Sequence, residues 1–191
     1  MPADCFDPAR ARLLAWAVRQ LSAAGQSVYL DAAHARLKST GETAERLLAA
    51  GIADAEGFAV NVSNRQTTAA SIAWGRELSD LVGHRPFVVD VSRNGIGAPP
   101  DGRGGTAQWC NPAHQALGAA PTTRTGIRGV DALLWIKRPG ESDGKCGGEV
   151  SYFFSPRQAR ELIVNSPDVP PDARHSAQLA SAPPATTSPM G

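Results

Sequence analysis

Four short apolar runs, rich in β-branched and aromatic residues, recur along the chain. They span residues 28–30, 58–62, 87–91 and 133–136. Runs of this length are too short for helices, and their composition is typical of buried β-strands. We therefore predict four strands.

The segments between these runs carry helix signals. The first helix is predicted over residues 8–24, because Asp7 can cap its N-terminus and Pro8 suits the first helical position. Further helices are predicted at residues 42–50, 68–82 and 155–165. Strands that alternate with helices in this way form βαβ units. The predicted fold class is therefore α/β with a parallel sheet.

The composition changes near the C-terminus. Residues 166–191 consist largely of Pro, Ala, Ser and Thr, with few large apolar side chains. Such a segment buries too little apolar surface to offset its ordering entropy. We therefore predict one domain over residues 1–165, followed by a disordered C-terminal tail over residues 166–191.

Polar side chains lie at or just after the end of every predicted strand. These residues are Asp31, His34, Asn61, Asn64, Asp90, Arg93, Lys137, Glu141 and Asp143. Because the carboxyl ends of parallel strands lie on one rim, and α/β enzymes build their sites there, the four strand ends together favour a functional site. For any single residue, helix capping or loop solvation explains its polarity equally well.

Three long loops rich in Gly and Pro, at residues 95–105, 121–129 and 139–148, suit a cleft for a polymer better than a closed pocket. Trp109 follows the first of them. An exposed indole can stack on the apolar faces of sugar rings, which favours a saccharide platform. A tryptophan that anchors the loop in a local apolar cluster is an equally good interpretation.

Charge and motif content exclude several classes of function. The 191 residues carry a net charge of +1, which gives no basic surface for nucleic acid or an anionic membrane. No apolar stretch is long enough to span a bilayer, and the N-terminus has no secretory signal pattern. Cys110 and His114 make too few ligands for a metal site. We predict no cofactor and no metal.

Five blocks of sequence, in order, resemble glycoside hydrolase family 6, the family of cellulases and β-1,4-glucanases. They are residues 29–34 (YLDAAH), 57–64 (GFAVNVSN), 88–95 (VVDVSRNG), 109–112 (WCNP) and 134–144 (LWIKRPGESDG). The resemblance covers about residues 5–165 and corresponds to the C-terminal half of the family's catalytic domain. It implies a partial barrel, about half of a distorted parallel β/α barrel, and inverting hydrolysis of β-1,4-glucosidic bonds in a β-1,4-glucan chain.

The resemblance also implies roles for individual residues. Asp143 corresponds to the candidate catalytic base, and Asp31 and Arg93 correspond to members of the active-site charge network. Substrate-binding roles are implied for His34, Asn61, Trp109, Lys137 and Glu141. Cys110 and Cys146 correspond to a disulfide pair, which leaves Cys5 without its family partner.

The family's proton donor lies N-terminal to every residue of this sequence, so the isolated chain is expected to be inactive. Three departures from the family pattern weaken the substrate platform. Ala33 stands where the family usually has Gly, and Leu37 lies near the position where a stacking Trp is expected. Arg65 stands where the family usually has an aromatic residue. The alternatives are a non-catalytic glucan-binding module, a non-functional fragment of a split gene, or a partner for a separately encoded N-terminal half. The family implies an extracellular protein, whereas the lack of a signal peptide in this sequence is compatible with cytoplasmic retention.

Overall fold

The computed structural model describes residues 7–98, 109–147 and 153–179, and strands alternate with helices over the first of these ranges. The helices are α1 (Pro8–Ala23), α2 (Thr40–Ala49), α3 (Thr68–Leu81), α4 (Pro156–Val164) and α5 (Pro171–Leu179). The strands are β1 (Tyr29–Asp31), β2 (Gly57–Val60), β3 (Phe87–Asp90) and β4 (Val130–Leu134). A short 3-10 helix, Ile52–Asp54, precedes β2.

A hydroxyl or carboxylate side chain caps the start of each of the first four helices. The capping residues are Asp7, Ser39, Thr67 and Ser155. These caps satisfy N–H groups that have no partner within the helix. The predicted helices are present, but α2 begins two residues earlier than predicted. The reason is local: the Ser39 hydroxyl accepts a hydrogen bond from the Glu42 N–H at 3.2 Å.

The four strands form one parallel sheet in the order β1-β2-β3-β4, which confirms the predicted fold class. β4 begins three residues earlier than predicted and ends before Trp135. A bulge lies opposite Phe87 and Val88, because Asp131 is inserted between the residues that pair with them. Bulges bend a strand and increase the local twist of the sheet.

The two faces of the sheet bury side chains of different size. On the helix-covered face, Phe58 and Phe87 are fully buried and stack with ring centroids 5.3 Å apart. The opposite face carries a cluster of smaller buried side chains. These are Ala59, Val88 and Ala132. Gly75 lets α3 approach the Phe87 ring, because a Cβ atom at this position would lie 2.5 Å from the ring.

A hydrogen bond joins the two outer strands across the face with the small side chains. The Tyr29 hydroxyl on β1 donates to Asp131 on β4 at 2.7 Å, so the sheet is strongly curved, as in part of a barrel. Burial and the acceptor carboxylate of Asp131 hold the pKa of Tyr29 above its usual range. Thr122 bridges the outer edge of β4 through two backbone hydrogen bonds to Leu133, each 2.9 Å.

The C-terminal segment differs in part from the predicted disorder. Ser166 is buried, and its hydroxyl accepts a hydrogen bond from the Leu117 N–H at 2.7 Å. Residues Pro171–Leu179 form α5 against α4. Composition averaged over the whole tail hid the local helix signals, a proline at the first position and Asp172 in the first turn. Residues 180–191 lie outside the described part of the chain.

No helix in the described ranges has the length and apolar character needed to cross a bilayer. Cys5, which the resemblance leaves without a partner, also lies outside those ranges.

Candidate active site

The carboxyl ends of the strands and the loops that follow them form an open cleft of about 540 Å³. Five of the polar or aromatic side chains that line it come from four different segments. They are Asp31 and His34 after β1, Arg65 after β2, Trp109, and Asp143 after β4. Four of these were predicted from the sequence as site residues, and the parallel sheet brings them to the predicted rim.

Asp143 is held by several donors. Arg93 binds its carboxylate through both terminal nitrogens, at 2.8 and 3.1 Å, and Arg65 binds one of its oxygens at 3.1 Å. The Asn111 N–H donates to the same oxygen at 3.1 Å, and Lys137 Nζ lies 3.8 Å from the other. The Asp143 side chain is only 7% exposed. Its environment therefore stabilises the ionised form.

The pKa of Asp143 lies below its ordinary value. Burial alone would raise the pKa, but the hydrogen bonds and charge of Arg93, the Asn111 N–H and the charge of Arg65 together outweigh burial. A carboxyl group with a depressed pKa remains an anion at neutral pH. Asp143 can thus accept a proton, but it cannot serve as a proton donor there.

Asn111 organises the loop that carries Asp143. Its side chain is 1% exposed and accepts hydrogen bonds from the Asp143 N–H at 2.8 Å and from Gln158 on α4 at 2.7 Å. Its amide nitrogen donates to the carbonyls of Gly144, at 2.7 Å, and Cys146, at 3.1 Å. The loop around Asp143 therefore depends on an amide that lies 32 residues earlier in the chain.

The structure contains the Cys110–Cys146 disulfide that the resemblance implies. Cys110 directly precedes Asn111, and Cys146 lies three residues after Asp143, so the bond ties together the two segments that meet at the carboxylate. Gly147 allows this approach, because a Cβ atom there would lie 2.4 Å from the Cys110 carbonyl oxygen.

Asp31 and His34 occupy the wall of the cleft that follows β1. The Asp31 carboxylate accepts a hydrogen bond from the Ala33 N–H at 2.8 Å, within a turn in which Ala33 has a φ of 64°. Surrounding protein atoms reduce the hydration of Asp31 and raise its pKa, and the Asp90 carboxylate adds to this effect. Burial and the charge of Arg36 lower the pKa of His34.

The indole of Trp109 is 57% exposed on the cleft. In contrast, Trp74 is 8% exposed, and Trp135 donates its indole N–H to the Ala119 carbonyl at 3.0 Å. The degree of exposure of Trp109 does not fit a side chain buried in a local apolar cluster. An exposed indole on a cleft wall is available for stacking on a sugar ring.

Three predicted substrate-binding residues are engaged within the protein. Asn61 is fully buried, and its amide nitrogen donates to the Asp90 carbonyl at 2.9 Å, so it shapes the turn after β2. Lys137 and Glu141 form an ion pair with each other at 3.1 Å. Hydrogen bonds from Arg138 and Lys137 lower the pKa of Glu141.

The family resemblance implied no role for two charged residues of this site, Asp90 and Arg65. Asp90 is fully buried, and its carboxylate accepts hydrogen bonds from the N–H groups of Ser63, Ser92 and Lys137, which join three loops of the rim. Its position at a strand end was a usable signal. Arg65 follows Asn64 in a polar segment, which predicts a solvated loop. No neighbouring residue in the sequence indicates that Arg65 pairs with Asp143.

Among the residues that the structure describes, no group of three or more His, Cys, Asp or Glu side chains is placed to hold a metal ion. The cleft instead combines an ionised carboxylate, a second carboxylate with a raised pKa and an exposed indole. A parallel, barrel-like sheet with such a rim is the arrangement of α/β-barrel proteins, which build their sites at the carboxyl ends of the strands.

Comparisons with known proteins agree with this class. The family described as Glycosyl hydrolases family 6 matches residues 3–168, and the chain belongs to that family. It is 45% identical over 139 residues to endoglucanase A of Cellulomonas fimi, covering 73% of this chain and 29% of the relative. It is 44% identical over 144 residues to endoglucanase 1 of Streptomyces halstedii, covering 71% of this chain and 42% of the relative.

Solved structures give the same result. The endoglucanase Cel6 of Mycobacterium tuberculosis, in complex with methyl-cellobiosyl-4-deoxy-4-thio-β-D-cellobioside, aligns with a TM-score of 0.78 at 43% identity. The alignment covers 85% of this chain and 57% of that one. A family 6 enzyme from Orpinomyces aligns with a TM-score of 0.68 at 28% identity, covering 82% and 55%. The chain thus spans less than two thirds of the length of these relatives.

Proposed function

We propose that this chain forms the base-bearing side of the active-site cleft of an inverting β-1,4-glucan hydrolase, with Asp143 as the general base. The observation that carries the proposal is the paired, ionised carboxylate of Asp143 in a cleft that also exposes Trp109. A base must be unprotonated at the working pH, and the lowered pKa of Asp143 supports this role.

In the proposed reaction, Asp143 takes a proton from a water molecule that attacks the anomeric carbon. The glucosidic C–O bond breaks, and a separate carboxylic acid protonates the leaving oxygen. We propose that this acid is supplied by polypeptide outside the present sequence. The short span relative to the endoglucanases, 29% and 42% of their lengths, supports this part of the proposal.

A separately encoded N-terminal half of the barrel would pair along β1. Thr122 already bridges the outer edge of β4, whereas β1 pairs only with β2 among the strands that the structure describes. An open strand edge presents backbone groups that can accept another strand. The Cys110–Cys146 disulfide supports an oxidising, extracellular location for the assembled protein.

A non-catalytic glucan-binding module is the second candidate function. The exposure of Trp109 favours it, because sugar stacking on an indole requires no catalytic acid. The two functions differ in what Asp143 contributes: a hydrolase requires its carboxylate, whereas a binding module requires only the cleft surface.

The test compares the wild-type chain with the Asp143→Asn and Trp109→Ala variants. We expect the wild-type chain alone to bind cello-oligosaccharides weakly in calorimetry and to release no reducing sugar from amorphous cellulose. Trp109→Ala should weaken binding roughly tenfold, since stacking on one ring is worth about 1–1.5 kcal/mol. Asp143→Asn should leave binding nearly unchanged.

The hydrolase proposal is then tested by adding the first half of a family 6 relative. Sugar release should appear on mixing and disappear with Asp143→Asn. Binding without restored hydrolysis would favour the glucan-binding module, and neither activity would indicate a non-functional fragment. If the chain alone releases sugar and the Asp143→Asn variant does not, the proposal that the proton donor lies outside this sequence is wrong. An acid within the chain, such as Asp31, would then be the proton donor.

A further inference from the structure

Arg65 connects three segments of the cleft through one buried guanidinium. Its side chain is only 4% exposed and extends from the loop between β2 and α3. One terminal nitrogen donates to the Trp109 carbonyl at 2.8 Å, and the other donates to the Asp143 carboxylate at 3.1 Å. The segment with the exposed indole and the segment with the ionised carboxylate therefore share one donor group.

We propose that Arg65 is a positioning residue that fixes the backbone carrying the Trp109 indole and the carboxylate of Asp143 relative to each other. The inference rests on the proposed function, in which these two groups hold and hydrolyse a glucan. A planar guanidinium can bind two acceptors in fixed directions, whereas a lysine ammonium acts as a single point charge. The arrangement therefore depends on arginine in particular, beyond the positive charge alone.

The charges around Asp143 make this role measurable. Arg65 and Arg93 both donate to the same Asp143 oxygen, each at 3.1 Å. Burial and the neighbouring charge of Arg93 lower the pKa of Arg65 to about 10, so Arg65 is still protonated at neutral pH. Lys137 lies 3.8 Å from Asp143 and is paired with Glu141.

Three other titratable groups, Asp31, His34 and Arg36, line the same cleft. They remain in place when Arg65 is replaced, as do Arg93, Lys137 and the Asn111 N–H. Loss of Arg65 thus removes one of the two guanidinium partners that Asp143 has among the described residues, and leaves these other charges in the chain. The carboxyl group should then titrate at a higher pH than in the wild-type chain.

The experiment uses the full chain with the variants Arg65→Met, Arg65→Lys and Arg19→Met. Arg19 is the matched control, because its side chain is 54% exposed and pairs with Asp54 at 4.0 Å, away from the cleft lining. One readout is the titration of the Asp143 carboxyl carbon followed by NMR. The Asp143→Asn variant identifies its resonance, because that signal is missing from the spectrum of the variant. The other readout is the affinity for cellotetraose by calorimetry.

We expect Arg65→Met to raise the titration midpoint of Asp143 and to weaken cellotetraose binding about tenfold, the effect of losing one charge-assisted hydrogen bond. Arg65→Lys should retain most of the titration behaviour but still weaken binding, because one ammonium cannot hold both acceptors. Arg19→Met should change neither quantity. A purely structural role for Arg65 would lower stability without moving the Asp143 titration.

The proposal would be overturned if Arg65→Met folds and leaves both the Asp143 titration and the cellotetraose affinity unchanged. It would also be overturned if Arg19→Met changes both quantities as much as Arg65→Met does. If Arg65→Met does not fold, Arg65→Lys decides the question, and no change in its binding would count against the proposal. If the wild-type chain binds no cellotetraose, the result contradicts the proposed function, because that function requires the chain to bind a β-1,4-glucan. The titration of Asp143 still tests Arg65 in that case.

Discussion

Replacing Asn111 with alanine should destabilise the chain strongly while leaving the sheet intact. The substitution removes the acceptor of the Asp143 N–H and the Gln158 amide, and the donor to the Gly144 and Cys146 carbonyls. All four contacts are 3.1 Å or shorter, and Asn111 is 1% exposed, so water does not replace them without rearrangement.

The magnitude follows from these contacts. Each buried polar group left without a partner costs about 1–3 kcal/mol. Four groups lose their partner here, and partial relaxation of the loop offsets some of this cost. Asn111 also has a φ of 47°, a conformation that costs alanine about 1 kcal/mol more than asparagine or glycine. We therefore expect a loss of about 4 kcal/mol, a large share of the roughly 5–15 kcal/mol that stabilises a typical domain.

Urea unfolding followed by circular dichroism, under non-reducing conditions, gives the free energies. Asn111→Gly serves as a first control, because it removes the same hydrogen bonds without the backbone strain and should cost about 3 kcal/mol. Asn165→Ala is the second control. Asn165 is exposed and donates one hydrogen bond to the Gln115 carbonyl at 3.0 Å, so its loss should cost less than about 1 kcal/mol.

Two results would refute the reasoning. One is an Asn111→Ala chain within 1 kcal/mol of the wild type, since about 4 kcal/mol is predicted. The other is an Asn165→Ala chain that loses as much stability as Asn111→Ala. The first result would mean that the network around Asp143 does not hold its loop in place, and the second that the loss of stability is not specific to that network.

Two further predictions concern the links across the sheet and across the site. Tyr29→Phe should lower the free energy of unfolding by about 1–2 kcal/mol, and adding Asp131→Ala should cost less than the sum of the two changes. Additive effects in this double-mutant cycle would argue against a direct bond. Replacing Cys110 and Cys146 with serine should cost about 3–4 kcal/mol in the same assay, and an unchanged unfolding free energy would contradict the stabilising role of the disulfide.

The order of strands and helices could be predicted from the sequence alone. Apolar runs at strand length and capping residues such as Asp7 are local signals, and they specify a parallel α/β sheet. The rim position of Asp31, His34 and Asp143 also follows, because parallel strands place their carboxyl ends on one side. Helix α5 was hidden because averaging over the whole tail obscured a short local pattern.

Only the tertiary structure determined which rim residues act together. Asn61 lies at a strand end, as predicted, but is turned into the interior to bind the Asp90 carbonyl. Arg65 has the sequence context of a solvated loop residue, yet it is buried because Asp143, 78 residues away, compensates its charge. The cost of burying a charged group depends on its spatial partners, and the folded chain alone brings those partners together.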